Sequence, residues 1–274
     1  MRSCTKHIYL GRKVLLGVAL SLAAMNVLAQ SNASSSSAVG YGINPQLPAP
    51  EKKLIPTVNV APAKGWPEHA QPTPVAGTQV NLYAEGLEHP RWLYLLPNGD
   101  VLVAETNAPR SKSNKGFSGW VRGLFMKQAG AAVESANRIT LLRDADKDGV
   151  IDFHAPFLEG LNSPFGMVLL GTDLYIANTD AIVHFTYNPG DTKINSPGTR
   201  LVDLPAGSIN YHWTKNIIAS ADGSKLYVTV GSNSNIGETG MAAEEERAAI
   251  LEVDISTGKR SIYAFGLRNP NGLA

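Results

Sequence analysis

The sequence predicts an all-β protein, and three observations carry the prediction. From Val80 onward, short apolar runs alternate with clusters of Gly, Pro, Asn and Asp. Apolar residues at helical spacing are scarce over the same stretch. A unit built from a Gly-Leu-x-x-Pro loop, an apolar strand, a tight turn and a second apolar strand recurs along the chain.

The first eighty residues stand outside that pattern. Residues 1 to 29 combine a basic start (Arg2, Lys6, Arg12, Lys13), the apolar run VLLGVALSLAAMNVLA and the small-residue end Val27, Leu28, Ala29. This is the layout of a secretory signal peptide, with cleavage expected before Gln30. The apolar run is shorter than the roughly 20 residues of a spanning helix, so no stable membrane insertion is expected. The product is expected to be periplasmic or secreted. The single cysteine, Cys4, lies inside the signal, so the mature chain has no disulfide and no cysteine-ligated metal, and no cysteine stands at the cleavage point to take a lipid. Residues 30 to 79 are Ser-rich and then Pro-rich. They hold too little apolar surface to fold alone and read as a disordered tether.

Within residues 80 to 274 the strands can be placed one by one. In DLYIANTDAIVHF, Asp173 to Ala177 and Ala181 to Phe185 form a hairpin about an Asn-Thr-Asp turn, and AAILEVDISTGKRSIYAF forms another. The repeat appears in GLEHPRWLYLLPNGDVLVAE and GLNSPFGMVLLGTDLYIAN and opens again in GLRNPNGLA; INYHWTKNIIASADGSKLYVTV keeps its register without the glycine and proline. The copies begin near residues 86, 160, 210 and 266, with an insertion at 108 to 135 enlarging the first. A strand-rich repeat of about 40–50 residues is the signature of β-propeller blades, four-stranded sheets around a central channel. About three blades and the first strand of the next are expected, an incomplete propeller.

Lys and Arg number 24 against 23 Asp and Glu, a net charge of +1 that leaves no footprint for nucleic acid. Superposing the repeats places Glu88, Asn162, His212 and Arg268 at one position, in the loop entering each blade. Such loops open on one face of a propeller, so the four side chains either converge on a ligand mouth or are ordinary loop polars. His212 is the residue best suited to take a proton near neutral pH, since an unperturbed imidazole titrates at about 6.5. Arg268 is suited to stabilising a developing oxyanion. His7 and His69 fall in the signal and tether, and His154 and His184 lack site-type neighbours in the sequence.

Three further features stand out. In DADKDGVID, Asp144, Asp146, Asp148 and Asp152 have the spacing of a calcium loop, but Ala155 stands where an EF-hand has its glutamate, so a solvated turn and a weak structural calcium site both remain open. The insertion GFSGWVRGLFMKQAG predicts a short amphipathic helix, expected to pack on the propeller rather than to act as a lid or docking surface. The run EEER, Glu244 to Arg247, reads as a solvated face.

Taken over residues 80 to 274, HPRWLYLLPNGDVLVAET, DLPAGSINYHWTKNIIASADGSKLYVTVGSNSN and GLRNPNG resemble the soluble quinoprotein glucose dehydrogenases and, more closely, the sorbosone dehydrogenase-like proteins. The resemblance implies a six-bladed propeller that holds pyrroloquinoline quinone (PQQ) and calcium and oxidises an aldose, sorbosone or a related sugar, with electrons passed to a quinone or cytochrome acceptor. His212 then matches the catalytic base, and Arg268 and Asn269 the pair that binds the quinone. Asp100 falls where the glucose dehydrogenases have a substrate-binding glutamine, and Tyr211 where they have an aspartate, which implies a different substrate preference. In the family the calcium-binding backbone and further quinone contacts follow the GLRNP motif, so the chain by itself is expected to be inactive or nearly so. Two alternatives stand beside this reading: a calcium-dependent propeller lactonase or hydrolase, and a non-catalytic binding propeller of the cell envelope. The Arg-Asn-Pro motif together with His212 favours the dehydrogenase.

Overall fold

Strand-forming residues bounded by Gly, Asn and Asp turns give three four-stranded antiparallel sheets, one after another along the chain. The computed structural model describes residues 60–67, 70–109 and 117–274. The signal peptide, His69 and most of the tether lie outside them. The first sheet is β1 (Pro90–Leu95), β2 (Val101–Glu105), β3 (Arg138–Arg143) and β4 (Phe153–Leu158). β5 (Met167–Leu170), β6 (Asp173–Ala177), β7 (Ala181–Thr186) and β8 (Thr199–Asp203) make the second. The third contains β9 (Ile217–Ala219), β10 (Lys225–Val230), β11 (Ala249–Asp254) and β12 (Arg260–Ala264). Each sheet is a plain meander, and both hairpins expected from the sequence form: Asp173 pairs with Thr186 and Ala177 with Ile182, while β11 pairs with β12.

The period-two alternation of strands explains how the sheets stack. On β6, Leu174 and Ile176 enter one core with Leu102, Ile139, Leu141 and Phe157 of the first sheet. Their neighbours Tyr175 and Ala177 enter a second core with Leu226, Val228 and Leu251 of the third. The middle sheet is thus apolar on both faces. Sheets two and three meet closely at Gly166, where an added Cβ would lie 2.6 Å from the Ile217 nitrogen and 2.8 Å from the Asn216 Cα. The Gly166 N–H donates to the Lys215 carbonyl at 2.9 Å there.

Two expectations change. Residues 265–274 hold no strand, so the fourth repeat contributes its loop and not the strand expected after it. The insertion does form a helix, α1 (Phe117–Gln128), but Trp120, Leu124 and Phe125 are 61%, 51% and 40% exposed rather than packed. The helix is held at its C-terminal end instead, where the Ala63 N–H donates to the Gln128 carbonyl and Gln128 Nε2 donates to the Val60 carbonyl. Among the described residues no helix is long and apolar enough to cross a membrane.

Candidate active site

The loops entering β1, β5 and β9 lie at one end of their sheets, and the buried polar and charged residues gather toward that end, Asp100 excepted. Arg91 of β1 reaches the loop before β9 there, its guanidinium 5.7 Å from the centre of the Trp213 ring. GLRNPNG joins the same end, the Asn216 amide donating to the Asn271 carbonyl at 2.6 Å.

His212 is nearly buried, and its surroundings fix its tautomer. Nδ1 lies 2.9 Å from the Ser232 carbonyl oxygen, which can only accept a hydrogen bond. Nδ1 is also 2.9 Å from the Ser232 hydroxyl, whose own proton is donated to the Ser234 carbonyl at 2.7 Å. Both contacts therefore require a proton on Nδ1, which leaves the Nε2 lone pair as the basic position.

Gly231 brings His212 and Asn269 together. A Cβ on Gly231 would come 2.4 Å from the His212 Cβ and 2.7 Å from the Asn269 Oδ1, so only glycine admits both side chains. Arg268 is anchored to the same turn: its carbonyl accepts from the Ser232 N–H at 2.7 Å, and its Nε and Nη2 donate to the Asn235 carbonyl and Oδ1 at 2.9 and 3.2 Å. His212, Arg268 and Asn269 are thus assembled on the segment after β10. Tyr211 is next to them, its N–H donating to the Asn233 carbonyl at 3.0 Å.

The remaining residues singled out in the sequence are placed elsewhere. Asp100 sits in the β1–β2 turn, at the opposite end of its sheet from the Glu88 loop. Both of its oxygens are taken by Arg143, Oδ1 by Nε and Oδ2 by Nη2, each at 2.7 Å. The Arg143 hydrogen bonds outweigh burial and hold the Asp100 carboxyl below the usual carboxylate range. Asp100 is part of an ion pair, and the structure does not bring it to His212. Glu88 is exposed and bonds Arg138 at 3.3 Å. Asn162 is also exposed, and it offers its carbonyl to the Thr179 N–H. His184 does have a polar neighbour, Asp173, at 2.9 Å, and its ring stacks on Tyr175. Its partner Asp173 opens β6 at the end away from Asn162, so the pair is remote from the loop ends.

Residues 72–274 match the model of a family described as TrAA12-like. The chain belongs to the TrAA12-like family.

Two solved structures share the fold of this TrAA12-like chain. The holo form of the pyranose dehydrogenase PQQ domain from Coprinopsis cinerea is 19% identical, with a TM-score of 0.51 over 69% of this chain and 41% of that one. The calcium structure of carbohydrate-active enzymes family AA12 from Trichoderma reesei is 17% identical, with a TM-score of 0.53 over 72% of this chain and 45% of that one. The chain spans less than half the length of either. No curated protein matches it. The family agrees with the likeness to PQQ-dependent sugar dehydrogenases read from YHWTKN and GLRNP.

Several buried charged residues at this end of the sheets were not singled out in the sequence. Lys215 is fully buried, and among the described residues its Nζ reaches only the Trp213 carbonyl, at 3.4 Å. Burial pushes its pKa down to about 7, Arg247 adds to the fall, and Asp180 opposes it. Arg247 is buried beside it and donates to neutral acceptors: Asn210 Oδ1 at 2.9 Å, Gly231 O at 3.3 Å and Ala206 O at 2.7 Å. Glu105 ends β2 fully buried; burial would raise its pKa, but Arg138, the Thr140 hydroxyl and the Glu88 N–H together hold it below the usual range. A polar residue closing an apolar strand, as in VLVAE, is the one hint of such groups.

The donor chemistry suits the cofactors that the resemblance implies. Arg268 and Asn269 present an exposed guanidinium and amide beside His212, the groups that bind an anionic quinone. In the β3–β4 turn, Asp144, Asp146 and Asp152 each place one oxygen within 4.8 Å of the others, and the Asp144 Oδ1 is buried without a hydrogen-bond partner among the described residues. An orphaned carboxylate oxygen of this kind suits a hard cation. Asp148 falls outside the group, its Oδ1 accepting from the Val150 N–H at 2.8 Å.

Proposed function

We propose that this TrAA12-like chain belongs to an exported dehydrogenase that oxidises an aldose, sorbosone or a related sugar or aldehyde with PQQ, and that His212 is the base. The observation that supports this most is the meeting of His212 and Asn269 at Gly231, with Arg268 bonded to the next residues of the same turn. The three sheets are read as three blades of a propeller, six-bladed in the family that the sequence resembles.

PQQ, when bound, supplies a quinone carbonyl that accepts the hydride leaving the sugar carbon. The Nε2 of His212 takes the proton of the hydroxyl on that carbon, while Nδ1–H, held by Ser232, keeps the ring in the tautomer that leaves Nε2 basic. Arg268 and Asn269 bind the quinone, the guanidinium opposing negative charge that develops on its oxygen. Tyr211, beside His212, contacts the sugar. A quinone or cytochrome would serve as the electron acceptor. Asp144, Asp146 and Asp152 would hold calcium as a structural ion, in a turn away from the base. Export follows the leader at residues 1–29, with the mature chain starting at Gln30.

A panel of aldoses, sorbosone and sugar lactones tests the proposal on the chain, with and without PQQ and calcium. A second protein, in which the chain is joined to the C-terminal remainder of a TrAA12-like relative, is assayed in parallel. Sugar-dependent reduction of an artificial dye that requires PQQ is expected. Lactone hydrolysis without PQQ would overturn the dehydrogenase reading.

A further inference from the structure

The acidic run at Glu244 to Arg247 was expected to be a solvated face, yet the first of its carboxylates points inward. Glu244 ends a short 3-10 turn, Met241–Glu244, in the connection between β10 and β11. Its Oε2 accepts from the Asn233 N–H at 2.7 Å, and its Oε1 accepts from the Ser234 N–H and hydroxyl, each at 3.2 Å. A carboxylate thus takes three donors from two consecutive residues, an arrangement stronger than bonds between neutral groups.

What Glu244 holds is the segment on which the site is assembled. Ser232, one residue before the clamped Asn233, receives the His212 Nδ1 proton on its carbonyl and hydroxyl. The Ser232 hydroxyl in turn donates to the carbonyl of Ser234, the second clamped residue. Asn235, one residue further on, accepts both bonds from the Arg268 side chain. Asn233 also ties the segment to the His212 side: its amide donates to the Ile209 carbonyl at 2.6 Å, and its carbonyl accepts from the Tyr211 N–H at 3.0 Å.

We infer that Glu244 is a positioning residue: by fixing the backbone of Asn233 and Ser234 it sets the tautomer of His212 and the placement of Arg268. It touches neither substrate nor cofactor in this role. The inference deepens the dehydrogenase reading and rests on it for catalytic consequence, but the tautomer itself is a property of the protein alone.

The test is therefore spectroscopic. Protein labelled with 15N-histidine gives one-bond and long-range imidazole correlations that distinguish the Nδ1–H from the Nε2–H tautomer, and a His212→Asn sample identifies the His212 signals. Above the range in which the imidazole is protonated, wild-type His212 shows the Nδ1–H pattern alone. In Glu244→Gln an amide N–H faces a backbone N–H, the segment loses at least one of its anchors, and the His212 signals move toward the pattern of a mixture. Glu245→Gln makes the same charge change at the exposed neighbour and leaves the spectrum unchanged. In the active protein, Glu244→Gln lowers the dye-reduction rate about tenfold, as loss of an outer hydrogen-bond partner typically does.

A wild-type spectrum with the Nε2–H tautomer overturns the inference without any variant. So does a folded Glu244→Gln protein whose His212 keeps the wild-type pattern. A tautomer shift in a protein that reduces no dye under any condition leaves Glu244 as the positioning residue and contradicts the dehydrogenase reading alone.

Discussion

The Nδ1 of His212 lies 2.9 Å from both the carbonyl oxygen and the hydroxyl of Ser232. Twenty residues separate the two, and the contact joins the loop entering β9 to the segment leaving β10. It makes Nε2 the basic atom. The same segment gathers Arg268 and Asn269, so its geometry governs the whole candidate site.

Gly231→Ala is expected to damage that geometry directly. The new Cβ would overlap the His212 Cβ and the Asn269 Oδ1, and the backbone of two loops must move to admit it. Overpacking of this kind costs about 1–3 kcal/mol, readable as a lower urea midpoint. PQQ affinity falls with it, because Asn269 is displaced. An unchanged midpoint together with unchanged affinity would mean that the two side chains do not meet there.

Lys215 makes stability depend on pH in a stated direction. Its folded pKa, about 7, lies below the ordinary lysine value of 10.5 that holds in the unfolded chain. The unfolded state therefore binds more protons between those values, and stability rises with pH across that window. Below about 7 both states are protonated and the cost of burying the ammonium beside Arg247, offset in part by Asp180, is fully present. Lys215→Met is expected to melt higher than wild type at pH 7, with the gap closing toward pH 10. Parallel melting curves of the two proteins across this range would refute the assignment.

Asp100 is expected to act on stability and not on sugar preference. Asp100→Asn breaks the paired bonds to Arg143 and costs about 1–3 kcal/mol. Since the folded carboxyl is held below its ordinary range, the contribution is present above that range and is lost as pH falls through the lowered folded value. The relative rates for different sugars stay as in wild type. A change in sugar preference without loss of stability would restore Asp100 to the substrate site.

Calcium is expected to raise the melting temperature through the β3–β4 turn. At about ten times its dissociation constant the ion stabilises by about 1.4 kcal/mol, and Asp144→Asn removes the effect by deleting the orphaned ligand oxygen. Magnesium, which demands a tighter octahedral shell, does not substitute. Equal responses of wild type and Asp144→Asn to calcium would rule out the site.

Local pattern made much of the fold legible. The hairpin Asp173–Ala177 with Ala181–Thr186 follows from strand-forming runs around a polar turn, and the three sheets from the repeat that starts near 86, 160 and 210. The repeat put His212 and Arg268 at one end of the sheets together with Glu88 and Asn162, while Asn269 entered only through the resemblance carried by GLRNP. Long-range pairing was not readable. Asp100 finds Arg143, 43 residues away, and nothing near NGD announces it. Likewise, Glu244 stands in a run of charges that looks solvated, and only the fold of the 231–235 segment turns its carboxylate inward. Lys215 lies three residues from His212 in YHWTKN, where burial of an ammonium has no local sign. The exposed apolar face of α1 departs from expectation because the helix is fastened by its end to residues 60–63 rather than laid onto a sheet.

The most direct test of the account is dye reduction by the PQQ-loaded protein, with and without His212→Ala, in the chain joined to the C-terminal remainder of a TrAA12-like relative. PQQ binding is measured on the same samples. The predicted result is a fall in turnover of about 10²–10⁴-fold, the usual loss on removing a general base, with PQQ affinity little changed. Turnover that survives the substitution would contradict the assignment of His212 as the base and, with it, the proposed mechanism.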